Sequence, residues 1–236
     1  MVLLAVFSLS VAVDGQHKET DKKTNKLGVQ TKETQAALTP AKALNNLKNG
    51  NLRFVAGRPK NQKNYRKQVS ITAKGQFPFA AIVSCLDSRI SADDIFDLNN
   101  GDAFNGRIAG NIVNGDMLGS LEFATKVSGA KVILVLGHSK CGAIKGACDD
   151  VELGNLTGLL KKIKPAVETI GKSWTDGEKN SHNPKFVEAV VEENVRIVME
   201  TIKKDSSIIK EMLEKGEVIL VGGVYDLETG IVKFLK

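Results

Sequence analysis

Aromatic side chains are scarce in this chain: one Trp, two Tyr and nine Phe make up 5% of 236 residues. The core must therefore be built mainly from Val, Ile, Leu and Ala. Only Phe54 and Tyr65 are aromatic between residues 18 and 70, although residues 1–70 carry 13 of the 33 Lys and Arg against 4 acidic residues. A nucleic-acid surface interleaves basic and aromatic side chains on one face, so no nucleic-acid partner is read here and the basic excess marks a solvated arm. Cysteine is nearly as sparse. Cys85, Cys141 and Cys148 cannot make a closed disulfide framework; metal ligation, one disulfide beside a free thiol, and buried inert thiols remain open. The apolar stretch of residues 1–13 falls short of the roughly 20 residues a spanning helix needs, which excludes a stable membrane anchor there.

That stretch has instead the length and the small-residue ending, Ser10-Val11-Ala12, of a secretory signal, though the usual basic residue near its start is absent. A signal peptide over 1–13 implies a periplasmic or secreted protein. The alternative, an apolar helix packed on the domain, implies a cytoplasmic one. Residues 14–38 are polar and patternless and are expected to form a flexible tail.

From residue 39 the chain has the composition of an ordinary globular domain, 42% apolar and 25% charged overall. Thr39-Pro40 starts a helix, with Leu44, Leu47, Leu52 and Val55 as its apolar stripe, and a more polar helix covers 62–73. Phe79–Ser84, 102–108, Lys131–Leu136 and Val218–Val224 read as strands. The third ends at a glycine turn, Gly137, and a last short strand, 231–235, is antiparallel to the fourth. Between them lie helices marked by Ser91 and Asp94 as a capping box, by Met117, Leu118, Leu121 and Ala124 up to Gly129, by 156–170 with a break at Pro165, by Asn183-Pro184 onward, and by 207–215. The fold class is α/β: an open, mainly parallel sheet flanked by helices, with an antiparallel C-terminal edge strand and an N-terminal helical arm. Ligands of such sheets gather beyond the carboxyl ends of the strands. Cys85 follows the first strand; His138 and Cys141 follow the third.

Two thiols and an imidazole suit Zn²⁺, and Cys148 lies too far along its helix to be a fourth ligand. A fourth position left open is the mark of a catalytic zinc with a bound water of lowered pKa. Two thiolates neutralise the ion formally, so hydroxide should accumulate only toward alkaline pH. Asp87, two residues past Cys85, can accept a hydrogen bond from that water, and Arg89 can hold Asp87 ionised and away from the metal.

Cys85-Leu86-Asp87-Ser88-Arg89, Gly101-Asp102-Ala103-Phe104 with Arg107 and Ala109-Gly110-Asn111, Gly137-His138-Ser139-Lys140-Cys141-Gly142 and Gly223-Val224-Tyr225-Asp226 together resemble the beta-class carbonic anhydrases. The likeness spans Thr39 to Leu235 and implies one catalytic domain over 39–236, with 39–73 as its helical arm. It implies Zn²⁺, one per subunit, on Cys85, His138 and Cys141, with Asp87 and Arg89 as the catalytic dyad. Gln76 and Gly142 would hold substrate or bicarbonate, and Phe104 would line an apolar pocket. It further implies a homodimer or a dimer of dimers. Phe123 stands where many members have tyrosine, and Ile82 where a bicarbonate-inhibited subgroup has tryptophan; with Ile82 there, Asp87 is expected off the metal near neutral pH.

The activity expected is reversible hydration of carbon dioxide to bicarbonate and a proton by zinc-hydroxide attack. The rivals are hydrolysis of carbonyl sulfide or carbon disulfide on the same ligands, a zinc-stabilised binding module without turnover, and a redox pair of Cys141 and Cys148. Ser139 and Lys140 have no role legible from the sequence.

Overall fold

The structure is a computed structural model describing residues 28–60 and 64–235; the expected signal segment lies outside them. Five strands form one sheet: β1 (Ala80–Ser84), β2 (Ala103–Arg107), β3 (Val132–His138), β4 (Ile219–Tyr225) and β5 (Val232–Phe234), in the order β2-β1-β3-β4-β5. All neighbours are parallel except β4 and β5. Every residue of β1 and β3 is buried, as expected for strands covered on both faces, whereas β2 is half-exposed at the edge.

Alternation along the two central strands divides the core. Ala80, Ile82, Val132, Leu134 and Leu136 face one layer; Ala81, Val83, Ile133 and Val135 face the other. The first layer is closed by α2 (Pro40–Val55), through Ala43 and Leu47, and by α4 (Ala92–Ile95). The second is closed by α5 (Gly115–Glu122), continued as a π-turn over Phe123–Val127, and by α9 (Pro184–Asp205) and α10 (Ser207–Glu214). The Asn183 side chain caps α9 by accepting from the Phe186 amide, and Pro184 starts it where no N–H is needed.

Several expectations are corrected. The polar stretch expected as a tail over 14–38 is held in place from Gly28 onward. It forms α1 (Lys32–Ala36), whose Gln35 is buried and donates to the carbonyls of Pro78 and Ser128. Of the expected stripe of α2 only Leu47 is fully buried. Leu52 and Val55 are exposed, and the packed face is Ala43, Leu47, Gly50 and Asn51, at helical spacing. A Cβ on Gly50 would lie 1.8 Å from the Phe96 carbonyl oxygen, so only glycine lets α2 come this close. Asn51 then ties the end of the chain to it, donating to Ile95 and Gly230 carbonyls and accepting from the Val232 amide. The amino-terminal helix therefore packs on its own sheet. The polar helix is shorter than expected, α3 (Tyr65–Thr72), and Ser91 caps α4 with no side-chain hydrogen bond. The break expected at Pro165 divides α7 (Gly154–Leu160) from α8 (Lys164–Ser173).

Asp102, at the threshold of β2, accepts the Asn99 amide at 2.8 Å through one oxygen, while its other oxygen is buried without a partner among the described residues. Burial pushes its carboxyl up to about 7 from the ordinary 3.8. A folded-state acid raised in this way stays protonated where the unfolded chain has ionised, so stability falls as pH rises between about 4 and 7. Asp102→Asn keeps an acceptor for Asn99 and removes the titration. Its melting temperature relative to the parent is expected to rise by roughly 2–8 °C between pH 5 and pH 8, read by thermal unfolding at both; a constant difference would refute it.

Candidate metal centre

The strand order brings the three expected ligands to one rim. β1 and β3 are adjacent, with Ser84 opposite Leu136. Cys85 leaves β1, His138 is the last residue of β3, and Cys141 precedes α6 (Gly142–Cys148) as its N-cap. All three side chains are buried and their ligand atoms lie within 4.8 Å of one another. The two sulfurs are 3.9 Å apart; tetrahedral ligands at a zinc–thiolate bond length are separated by about 3.8 Å. His138 shares a 2.9 Å hydrogen bond with the Ser139 carbonyl through Nδ1. That bond puts the ring proton on Nδ1 and leaves the Nε2 lone pair free. Nε2 is buried with no partner among the described residues. An unpaired buried imidazole nitrogen facing two sulfurs costs stability unless something binds it, and this donor set fits a borderline-soft divalent cation.

The two thiols titrate as a pair. The hydrogen bond from Cys141, helped by the Gly110 amide at 3.4 Å, pulls the Cys85 thiol well below its ordinary range. Cys141 is pushed up by that neighbouring thiolate and by burial. A cation bound here would displace the thiol proton that the pair retains. Cys148, at the far end of α6, is not part of the cluster; burial raises its thiol to about 11.

Asp87 sits beside the ligands, its Oδ2 3.9 Å from His138 Nε2. Arg89 grips it in a fork: Nε donates to Oδ1 at 2.9 Å, an Nη to Oδ2 at 2.7 Å, and the Arg89 amide to Oδ1 at 3.0 Å. The guanidinium holds the Asp87 carboxyl far below the usual range, against a smaller opposing effect of burial. Asp87 is therefore anionic at any pH at which the protein works.

A family model described as carbonic anhydrase matches residues 80–232. Carbonic anhydrase 2 of Mycobacterium tuberculosis is 37% identical over 193 residues, covering 81% of this chain and 90% of that protein. The structure of the beta-carbonic anhydrase CcaA superposes with a TM-score of 0.67 at 26% identity, over 78% of this chain and 94% of that one. The chain belongs to the beta-class carbonic anhydrases. A further neighbour, a tetrameric beta-carbonic anhydrase of Sordaria macrospora, shares the fold with a TM-score of 0.63 at 22% identity, over 94% of this chain and 97% of that one.

In this carbonic anhydrase the residues expected at the site divide into two groups. The candidate ligands, Asp87, Arg89 and Gly142 meet at the carboxyl ends of β1 and β3. Gln76 lies before the amino end of β1, and the five residues of that strand alone span about 16 Å. It lines a surface cavity with Thr72, Asp93, Asn100 and Asn105. Phe104 pairs with Ala81, well down the strand from Cys85, and lines a second cavity with Met117 and Phe123. Its ring meets Phe123 edge-on, with centroids 6.1 Å apart. Neither cavity includes a ligand residue.

The opening glycine of the ligand loop is also placed differently. Gly137 lies inside β3, where a Cβ would approach Val195 of α9 to 2.8 Å. The loop is fastened beyond it: the Ser139 amide donates to Tyr225, the Ser139 hydroxyl accepts from the Leu227 amide at 3.0 Å, and Lys140 pairs with Glu228. These contacts give Ser139 and Lys140 the role the sequence left blank, since they staple the His138–Cys141 loop to the β4–β5 turn. Asn194 was missed altogether. Buried on α9, it donates to the Gly110 carbonyl at 2.9 Å, behind the amide that reaches Cys85. Its one legible signal is an amide side chain within the apolar stripe of Val190, Val191, Val195 and Val198.

Proposed function

We propose that this enzyme interconverts carbon dioxide and bicarbonate using one Zn²⁺ per subunit held by Cys85, His138 and Cys141. The observation that carries the reading is the unpartnered Nε2 of His138 beside two converging sulfurs, with an ionised carboxylate, Asp87, at their side. Bound zinc would lower the pKa of a water and so supply the hydroxide nucleophile. Asp87 accepts the hydrogen bond of the attacking group and sets the direction of its lone pair. Arg89 fixes the Asp87 carboxylate through its fork and holds it turned away from the cation. The Gly142 amide, at the start of α6, offers a donor to the developing bicarbonate.

Gln76 and Phe104 cannot serve the ligands of their own chain at the separation described above, so their expected roles belong to a second copy. The half-exposed edge strand β2, with Phe123 and Val127 exposed nearby, is the face through which a homodimer would bring them there.

Stopped-flow carbon dioxide hydration before and after chelation tests the reading. The catalysed rate is expected to vanish with the metal, to return on adding Zn²⁺, and to climb into the alkaline range, since two thiolates leave the site formally neutral. Carbonyl sulfide in a parallel assay should be the poorer substrate. A rate indifferent to chelation, or one already saturated well below neutral pH, would sink it.

A further inference from the structure

Arg107, the last residue of β2, places its guanidinium across the loop that carries Cys85 and Asp87. Its Nε donates to the Cys85 carbonyl at 3.2 Å, and one Nη donates to the Leu86 carbonyl at 3.0 Å and to the Asp87 carbonyl at 2.7 Å. Three consecutive carbonyls are thus held by one planar, rigid group. These carbonyls lie just past Ser84, whose own carbonyl takes the last β2–β1 hydrogen bond, from the Ile108 amide at 3.1 Å. Where the ladder ends, Arg107 takes over from it. The Gly110 amide reaches the Cys85 sulfur of the same loop, and the Gly110 carbonyl is held by Asn194. Gly110 can do this only as glycine. It has a φ of +69°, and a Cβ would lie 2.6 Å from Ile163.

We propose that Arg107 is a positioning residue for the metal centre, fixing the Cys85 ligand and the Asp87 carboxylate in one geometry by clamping their backbone carbonyls. This rests on the proposed use of Cys85 and Asp87. The clamp needs the fork. A lysine at 107 keeps the charge but puts its donors on one nitrogen, without the spaced planar fork that reaches all three carbonyls together, so it holds the loop less firmly. Arg107 is not one of the three candidate ligands, and its guanidinium bonds are to the loop carbonyls. Without it, Cys85 keeps its place in sequence but loses its fixed approach to His138 and Cys141, and the Asp87 direction loosens with it.

The test compares Arg107→Lys, Arg107→Ala and the parent protein for zinc affinity by chelator competition and for the ligand-field spectrum after Co²⁺ replacement. Both variants are expected to bind zinc about 10–100-fold more weakly and to show a weakened, broadened tetrahedral cobalt band. Millimolar guanidinium should restore the band in Arg107→Ala, and sodium chloride at equal ionic strength should not. Parent-like affinity and spectrum in Arg107→Lys would overturn the proposal. So would unfolding of Arg107→Lys, because the proposal assigns Arg107 to the loop and not to the fold. A parent protein that binds zinc tightly without hydrating carbon dioxide would defeat the proposed function and leave the clamp to be judged on metal affinity.

Discussion

Replacing Cys141 by serine is expected to strip the protein of zinc at micromolar chelator and to lower carbon dioxide hydration by at least about 10³-fold. The change is nearly isosteric, and Cys141 is buried at the start of α6, so the fold should persist and circular dichroism should be unaltered. What is lost is a thiolate whose place is set by β3 on one side and by the first turn of α6 on the other. A hydroxyl there neither ionises nor bonds a borderline-soft cation comparably. Retained zinc and at least a tenth of the parent rate would remove Cys141 from the ligand set. The same variant also tests the second copy. Cys141→Ser supplies an intact Gln76, and Gln76→Leu supplies intact ligands, so co-refolding the two should produce mixed dimers with one complete site. Activity well above the sum of the separate proteins is expected; a strictly additive mixture would mean that each chain builds its site alone.

The contrast between the two groups of residues explains what could be read from the sequence. The candidate ligand cluster was legible because strand ends and ligand spacing are local: a buried β-branched run announces β3, and His138 and Cys141 follow at its end. Cys85 joined them through one topological step, the adjacency of β1 and β3, which a parallel α/β sheet makes natural. The contacts that fasten the ligands were not legible, because they join points far apart in the chain. Asn194 reaches Gly110 across 84 residues, and Ser139 receives the Leu227 amide across 88. Neither has a spacing rule. The face of α2 failed for a different reason. Hydrophobic periodicity weights large side chains, whereas that helix is drawn in by what its residues lack, with Gly50 allowing contact with Phe96 and Asn51 reaching β5. Leu52, the most prominent member of the expected stripe, is 67% exposed.

Removing the guanidinium of Arg89 is expected to be the most damaging change outside the ligands themselves. Arg89→Leu should lower kcat/KM by about 10²–10³-fold near neutral pH while leaving zinc content unchanged. The fork to Arg89 holds the Asp87 carboxyl low against a smaller opposing effect of burial, and it also fixes where its oxygens point. Without Arg89 the carboxyl rises toward its ordinary value near 3.8 and is still ionised at pH 7. The loss is therefore one of position and not of charge. With Oδ2 only 3.9 Å from His138 Nε2, the released carboxylate stands within a rotamer change of the cation. Once there it occupies the position that water needs. Competition between carboxylate and hydroxide then makes the variant recover toward alkaline pH, with a steeper rise than the parent shows. Removing Asp87 as well should cost little more, because the two side chains act as a unit, so Asp87→Asn and Arg89→Leu should combine far less than additively. Arg89→Lys, with a single ammonium nitrogen in place of the planar fork, should fall between parent and Arg89→Leu. A crystal of Arg89→Leu at neutral pH should show Asp87 bound to the metal. If Arg89→Leu stays within threefold of the parent, or if its loss is independent of Asp87, the dyad is a surface ion pair of the ordinary kind, worth little.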